Sequence, residues 1–184
     1  MSTQARFTLD EYDRMIDAAV FDPDRRIELI FGELREMSPI GDRHRHAVNA
    51  LMNQWVMAQS TPDLRQRMIV QVQSPIRLPR QQSAPQPDMS WIGHDATPLG
   101  GDEVFLVIEV AESTLDFDRG EKAELYAAAD IPDYWIVNLI DNCVEVHRDP
   151  QDGRYQSLQT YHAGDELRPL LFPECLLRVG LLFG

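Results

Sequence analysis

The chain has 184 residues, 43% hydrophobic and 26% charged, with 30 acids against 17 bases and a net charge of −13. That is enough apolar material for one globular domain with a real core, and no apolar run reaches the roughly 18 to 20 residues a membrane-spanning helix needs. The charge excludes a protein that coats nucleic acid through a basic stripe, because phosphate neutralisation supplies most non-specific affinity; any such function here needs a local cationic face, a divalent metal or a partner subunit.

The opening MSTQARFTLDEYDRM has no apolar stretch of the secretory kind. Cys143 and Cys175 stand far apart with no CxxC partner. Neither a thiolate zinc site nor a disulfide scaffold is expected, and the cytoplasm is the default location. The bases are arginines except for a single lysine, Lys122. Chance or codon bias would explain that. So would a position needing a compact point charge of tunable pKa, which arginine cannot supply.

Thr8-Leu-Asp-Glu11 has capping-box spacing and predicts a helix from there to about Phe21. Residues 27–37 read as two short strands about a Phe31-Gly32 turn, an N-terminal hairpin. After a loop at 38–42, Val48, Leu51, Met52, Trp55 and Val56 keep helical spacing and predict an amphipathic helix over 43–59. Arg67–Gln73 and Asp88–Ile92 read as strands, and the proline-rich stretch 79–87 between them cannot sit in a central strand. Residues 93–102 form a loop. VFLVIEV, Val104–Val110, is the most apolar stretch and reads as a buried central strand with one acid, Glu109, near its end. A connecting loop follows at 113–118, then a helix over 119–129 with Ala123, Tyr126 and Ala127 inward. Tyr134–Leu139 and Val144–His147 form a hairpin about Asp141-Asn142, extended by Tyr155–Tyr161. The apolar C-terminus is expected to pack on an edge as a β-extension. The order predicts an α/β or α+β fold: a mixed β-sheet flanked by helices, in one domain over 1–184.

The strongest chemical pattern is Pro87-Asp88, then Glu109, then Lys122. A carboxylate in an apolar strand costs several kcal/mol unless it is paired or binds a metal. Two such acids at neighbouring strand ends make a hard-oxygen site suited to Mg²⁺ or Mn²⁺. Taken singly, Asp88 could equally cap a strand and Glu109 could face solvent at an edge.

VQSPIRL, PQPDMSWI and DEVFLVIEVAESTLDFDRGEKAELYAAADIPDYWIVNL, preceded by RIELIFGELREMSPIGDRHRHAVNAL and followed by LRPLLFPECLLRV, together resemble the Uma-two family of restriction-endonuclease-like proteins in the PD-(D/E)xK nuclease superfamily. The resemblance runs from about Phe7 to Val179 and implies a restriction-endonuclease-like fold. It implies that Asp88 is the aspartate of the PD pair and Glu109 the acid of the second motif. The usual lysine would fall at Ala111; the family's GEK segment supplies Lys122 from the next helix instead, with Tyr126 one turn on. Glu28 resembles the family's N-terminal acid and completes the metal set, with Glu33 a second candidate. His44 occupies the family's histidine position, with a DNA-contacting, supporting or merely solvated role. His46 is read as solvated, because HRH spacing puts the two rings on different helix faces. Gln73 beside the sheet is a candidate for orienting substrate, or for a plain buried hydrogen bond. Ser113 and Thr114 read as helix caps. Gly100-Gly101 lacks the lysine of a phosphate loop, and Trp55, Trp91 and Trp135 read as core.

These readings converge on a divalent-metal-dependent endonuclease hydrolysing DNA phosphodiester bonds. Asp88, Glu109 and Lys122 are catalytic, Asp88, Glu109 and Glu28 hold Mg²⁺ or Mn²⁺, and Tyr126, like His44 and Gln73, is a candidate supporting or DNA-contacting residue. Arg43, Arg45, Arg77, Arg80 and Arg119 are candidate phosphate contacts, and a homodimer would pool such local cations. The competing readings are a catalytically silent nuclease-fold module acting in binding or assembly, and hydrolysis of RNA.

Overall fold

The computed structural model describes residues 5–58, 62–94 and 103–184. The Gly100-Gly101 pair, the loop over 95–102 and the side chain of Val56 lie outside the described residues.

Helix α1 (Leu9–Asp17) opens on the expected capping box: Thr8 Oγ1 accepts the Glu11 N–H at 3.2 Å, and the Thr8 N–H donates to Glu11 Oε2 at 2.8 Å. It stops four residues earlier than its pattern predicts, because Ala18 caps it and Ala19 turns to φ 50°. Strands β1 (Ile27–Ile30) and β2 (Glu33–Glu36) form the N-terminal hairpin, with Phe31 and Gly32 both at positive φ, 48° and 78°. Helix α2 (Asp42–Ala58) follows. A short α3 (Pro62–Arg67), absent from the sequence reading, leads into β3 (Met68–Val72). A 3₁₀ turn at Pro79–Gln81 occupies the proline-rich stretch, and Ala84 bridges Leu29 to tie the hairpin to the body.

The main sheet runs β3, β4 (Met89–Gly93), β5 (Val104–Ala111), β6 (Asp133–Asn138), β7 (Cys143–Gln151), β8 (Arg154–Tyr161). Every pair is antiparallel except β5 and β6, which makes the sheet mixed. A parallel pair needs a crossover. Here it is α4 (Leu115–Phe117), one π-helical turn (Asp118–Lys122) and α5 (Ala123–Ala128). The expected loop at 113–118 is therefore helical from Leu115. Thr114 makes no side-chain cap; its hydroxyl donates to the Asp118 carboxylate at 2.6 Å.

Alternation along β5 divides the core. Leu106, Ile108 and Val110 face α2, with Trp55, Trp91 and Trp135 buried among them. Val107 and Ala111 face the crossover, with Tyr126, Leu125, Tyr134 and Ile136. The three tryptophans are core, as read, with Trp55 edge-on to Trp91 at 4.8 Å. The C-terminal β-extension is present, as β9 (Glu166–Leu167) pairs with β10 (Leu177–Arg178); only its packing differs from the expectation, because Phe172, Cys175, Leu177, Val179 and Leu182 join the tryptophan cluster under α2 instead of lining an edge. Burial against a helix face outweighs edge pairing for a segment this apolar. Cys143 and Cys175 are both free and buried. Among the described residues, no helix is long and apolar enough to cross a membrane.

Candidate active site

Glu109 lies near the carboxyl end of β5, beside the parallel strand β6, where open α/β sheets tend to bind ligands. Alternation turns its side chain away from the tryptophan face, toward the crossover. Asp88 immediately precedes β4, whose Met89 is in register with Ile108 of β5. Asp88 thus arrives beside the same strand end, and its Oδ2 accepts the Val110 N–H at 2.9 Å. Glu28 comes from β1, opposite Arg35, with its Oε2 fixed by the Gln86 N–H at 3.0 Å. These three acids are 1%, 4% and 3% exposed for Glu28, Asp88 and Glu109, and all line one cleft of about 330 Å³.

Lys122 enters the cleft from the crossover. Its ammonium donates to Glu109 Oε1 at 2.9 Å and lies 3.5 Å from Glu28 Oε1. The position left open by Ala111 is thus reached from the next helix. Tyr126 donates to the same Glu109 oxygen at 2.7 Å. The π-turn makes this convergence possible. In a regular α-helix, residues four apart drift by about 40°. A π-turn, bonded i to i+5, is wider and reverses that drift locally. Asp118, Lys122 and Tyr126 therefore share one face. The buried Tyr134 hydroxyl donates to the Asp118 carbonyl at 3.0 Å and supports the widened turn.

Asp118 is a further acid of the cleft, at a position where the sequence pattern predicts a connecting loop. It is 2% exposed, lines the cleft and lies 4.0 Å from Lys122. An acid and a base four apart in a helix were the available signal. Arg26 and Arg35 also line the cleft unforeseen. By contrast, none of the five arginines proposed for phosphate contact does. Arg43 is held by Glu112, Asn142 and the Leu139 carbonyl; Arg45 pairs with Asp42, Arg77 with Asp13, and Arg119 with Glu145. Arg80 lies in the 3₁₀ turn away from the cleft. Acids of the chain already pair Arg43, Arg45, Arg77 and Arg119.

The remaining candidates sort by position. His44 Nε2 bonds Asp88 Oδ2 at 2.9 Å, so this ring orients an acid of the cleft. His46 is exposed, as read. Glu33 pairs with Arg35 and Arg6 and does not line the cleft, which leaves Glu28 as the N-terminal acid. Gln73 is outside the cleft lining; its contribution is a backbone N–H to the Asp88 carbonyl at 3.2 Å, made with φ at 49°. Tyr126 is fully buried, which rules out a DNA contact and makes it a support for Glu109.

The electrostatics are those of acids crowded about one base. Burial pushes the Glu109 carboxyl up to about 8, against the pull of Lys122. Burial likewise lifts Asp118 to about 6, opposed by Lys122 and by the Thr114 hydroxyl. For Lys122 burial acts the other way, but Glu109, Glu28 and Asp118 together outweigh it and raise the ammonium above its ordinary value. The ammonium stays charged, and burial favours the protonated form of both Glu109 and Asp118.

The described residues include no group of three or more His, Cys, Asp or Glu side chains already arranged around a metal position. The donor chemistry nevertheless fits a hard cation: Glu28, Asp88, Glu109 and Asp118 are buried carboxylates facing one ammonium. Glu109 Oε2 and Asp88 Oδ1 carry no hydrogen bond among the described residues, whereas their partner oxygens are held by Lys122, Tyr126, His44 and the Val110 N–H.

The profile of the Uma2 family, described as "Putative restriction endonuclease", matches residues 9–180. Among solved structures, the chain is similar to one described as a "putative nuclease belonging to DUF820" from Anabaena variabilis ATCC 29413, with a TM-score of 0.69 and 14% identity over 96% of this chain and 97% of that one. At that identity the likeness shows the fold alone. No curated protein matches the chain.

Proposed function

The chain belongs to the Uma2 family, described as "Putative restriction endonuclease", and from that premise we propose that the cleft hydrolyses DNA phosphodiester bonds with the help of a divalent cation, Mg²⁺ or Mn²⁺. The observation that carries this reading is the buried Lys122–Glu109 pair at 2.9 Å, with Asp88, Glu28 and Asp118 lining the same cleft. A core built only for stability has little use for four buried acids and one buried base.

Asp88 and Glu109 would hold the cation, with Glu28 beside them. When bound, it would polarise the phosphate and acidify a water molecule. The chain's own residues supply the rest. His44 and the Val110 N–H hold Asp88, and Tyr126 holds Glu109. Lys122, kept charged by its carboxylates, would stabilise the charge that builds on the phosphoryl oxygens. Burial on the crossover face keeps bulk water from weakening these interactions.

The test is nicking of supercoiled plasmid at low salt with Mg²⁺ or Mn²⁺. Low salt matters because a chain of net charge −13 has weak phosphate contacts to spare. Glu109→Gln should lower turnover by about a hundredfold or more, since each 1.36 kcal/mol of lost transition-state stabilisation is tenfold. Glu124→Gln, an exposed acid on α5 outside the cleft, should nick like wild type. Equal nicking by wild type and Glu109→Gln would put the chemistry elsewhere. One observation favours the rival, a silent nuclease-fold module: Lys122 already neutralises Glu109 without a metal. Absence of nicking across metals, salt and single- or double-stranded substrates would decide for it.

A further inference from the structure

Arg26 is a half-buried cation of the cleft, and one end of its guanidinium lacks an acceptor among the described residues. It stands immediately before β1 and extends the hairpin ladder by one bond, its carbonyl accepting the Met37 N–H at 2.9 Å. Arg26 and Glu28 are two residues apart on an extended segment, so the pleat sends both side chains to one face, roughly 6 to 7 Å apart along the chain. Both line the cleft. Arg26 Nη2 is buried and has no hydrogen-bond partner among the described residues. Nor does Arg26 form an ion pair there, although the cleft is lined with carboxylates.

Its neighbour behaves differently. Arg35 is gripped by Glu121 at 2.7 and 3.0 Å and by Glu33 at 2.7 Å. Lys122 is likewise satisfied by its acids. A buried donor without an acceptor costs on the order of 1 to 3 kcal/mol, more when it is charged. A ligand that relieves it must be anionic and rich in acceptors, and it must sit beside the carboxylates.

We propose that Arg26 is a substrate-binding residue that grips the non-bridging oxygens of a phosphate in the nucleic-acid strand next to the Glu28–Lys122–Glu109 core. The inference rests on the reading of the cleft as a phosphodiesterase site and adds to it the residue that holds the strand. The planar guanidinium fork suits two phosphate oxygens at once, which a lysine cannot match.

The test is fluorescence anisotropy with a short fluorescein-labelled DNA duplex, in low-salt buffer with Ca²⁺ in place of Mg²⁺, so that the acids of the cleft are neutralised and binding is read without Mg²⁺-dependent cleavage. Arg26→Ala should weaken binding at least tenfold and lower the slope of log K against log salt by about one. Arg26→Lys should recover only part of the loss. Arg45→Ala removes the same charge from an exposed site outside the cleft and should stay within about twofold. Arg26→Ala should melt no lower than wild type, because it removes an unpartnered donor; a merely structural arginine would lower the melting temperature. Binding by Arg26→Ala equal to wild type, or an equal loss in Arg45→Ala, overturns the proposal. Failure of wild type to bind duplex would instead sink the DNA reading. Arg26 is then judged with inorganic phosphate, which should raise the melting temperature of wild type and not of Arg26→Ala; an equal response in both overturns the assignment.

Discussion

Replacing Glu109 with glutamine should leave the metal-free protein progressively more stable than wild type as the pH rises. Burial lifts the folded Glu109 carboxyl from 4.5 to about 8. Between those values the folded state binds more protons than the unfolded chain, so stability falls as pH increases; the penalty is absent below about 4.5 and complete above about 8. At 1.36 kcal/mol per unit, integrating from pH 5 to pH 8 gives a loss of about 3 kcal/mol from this one group. Glutamine is nearly the same size and can still accept from Lys122 and Tyr126, but it cannot ionise. Lys122 would keep Glu28 at 3.5 Å and Asp118 at 4.0 Å as partners.

The assay is urea unfolding at pH 5 and pH 8 in the presence of chelator. At pH 5 the variant should be equal to wild type or slightly weaker, since it gives up part of a charged hydrogen bond. At pH 8 it should be ahead by roughly 2 to 3 kcal/mol. Added Mn²⁺ should then close that gap by stabilising wild type alone, by about 2.7 kcal/mol at a hundred times its dissociation constant. Parallel pH profiles for the two proteins would refute the argument, because Glu109 would then ionise as freely in the fold as outside it.

Lys122→Met removes the one base among these buried acids, and breaking a buried pair from one side costs about 3 to 5 kcal/mol. The acids can take up protons instead, so the loss should be smaller at pH 5 than at pH 8 in the same urea assay. Deleting Gly120, whose Cβ position faces open space, would let the π-turn close to a regular α-helix and turn Asp118 by about 100° relative to Lys122. Helical circular dichroism should persist while Mg²⁺-dependent nicking falls as far as it does in Lys122→Met; retained nicking would show that the wide turn is dispensable.

What the sequence made legible was local. Thr8 and Glu11 form their box because both partners lie within one turn. Phe31-Gly32 turns tightly with both residues at positive φ, a conformation that glycine adopts freely and that Phe31 takes against its steric preference. Val104–Ala111 announces a buried strand through an apolar run that no helix period explains. What stayed hidden was set by tertiary contact. Phe172, Cys175, Leu177, Val179 and Leu182 have no period of their own, and only the face of α2 decides where they go. Asp118 was concealed by the π-turn. No propensity marks an extra residue in a helix, and the support for it, the Tyr134 hydroxyl, comes from a different strand.

The same distinction governs the charge. Asp88 and Glu109 stood out because an acid in or beside an apolar strand is expensive, which is a property of sequence context alone. Arg26 did not stand out, being one arginine among many; what singles it out is a buried Nη2 with no partner among the described residues, and that is visible only in three dimensions. Net charge read along the chain argued against nucleic acid because it could not say where the acids were. The cleft is lined by Glu28, Glu36, Asp88, Glu109, Glu112 and Asp118 against Arg26, Arg35 and Lys122. Part of the surplus that spoils a DNA-coating surface is therefore gathered where a dication would neutralise it. A phosphate would approach such a cleft only once that ion or its protons were in place. On this reading the chain's acidity and its proposed chemistry require each other, and DNA affinity should rise with divalent metal more steeply than it falls with the screening of surface charge.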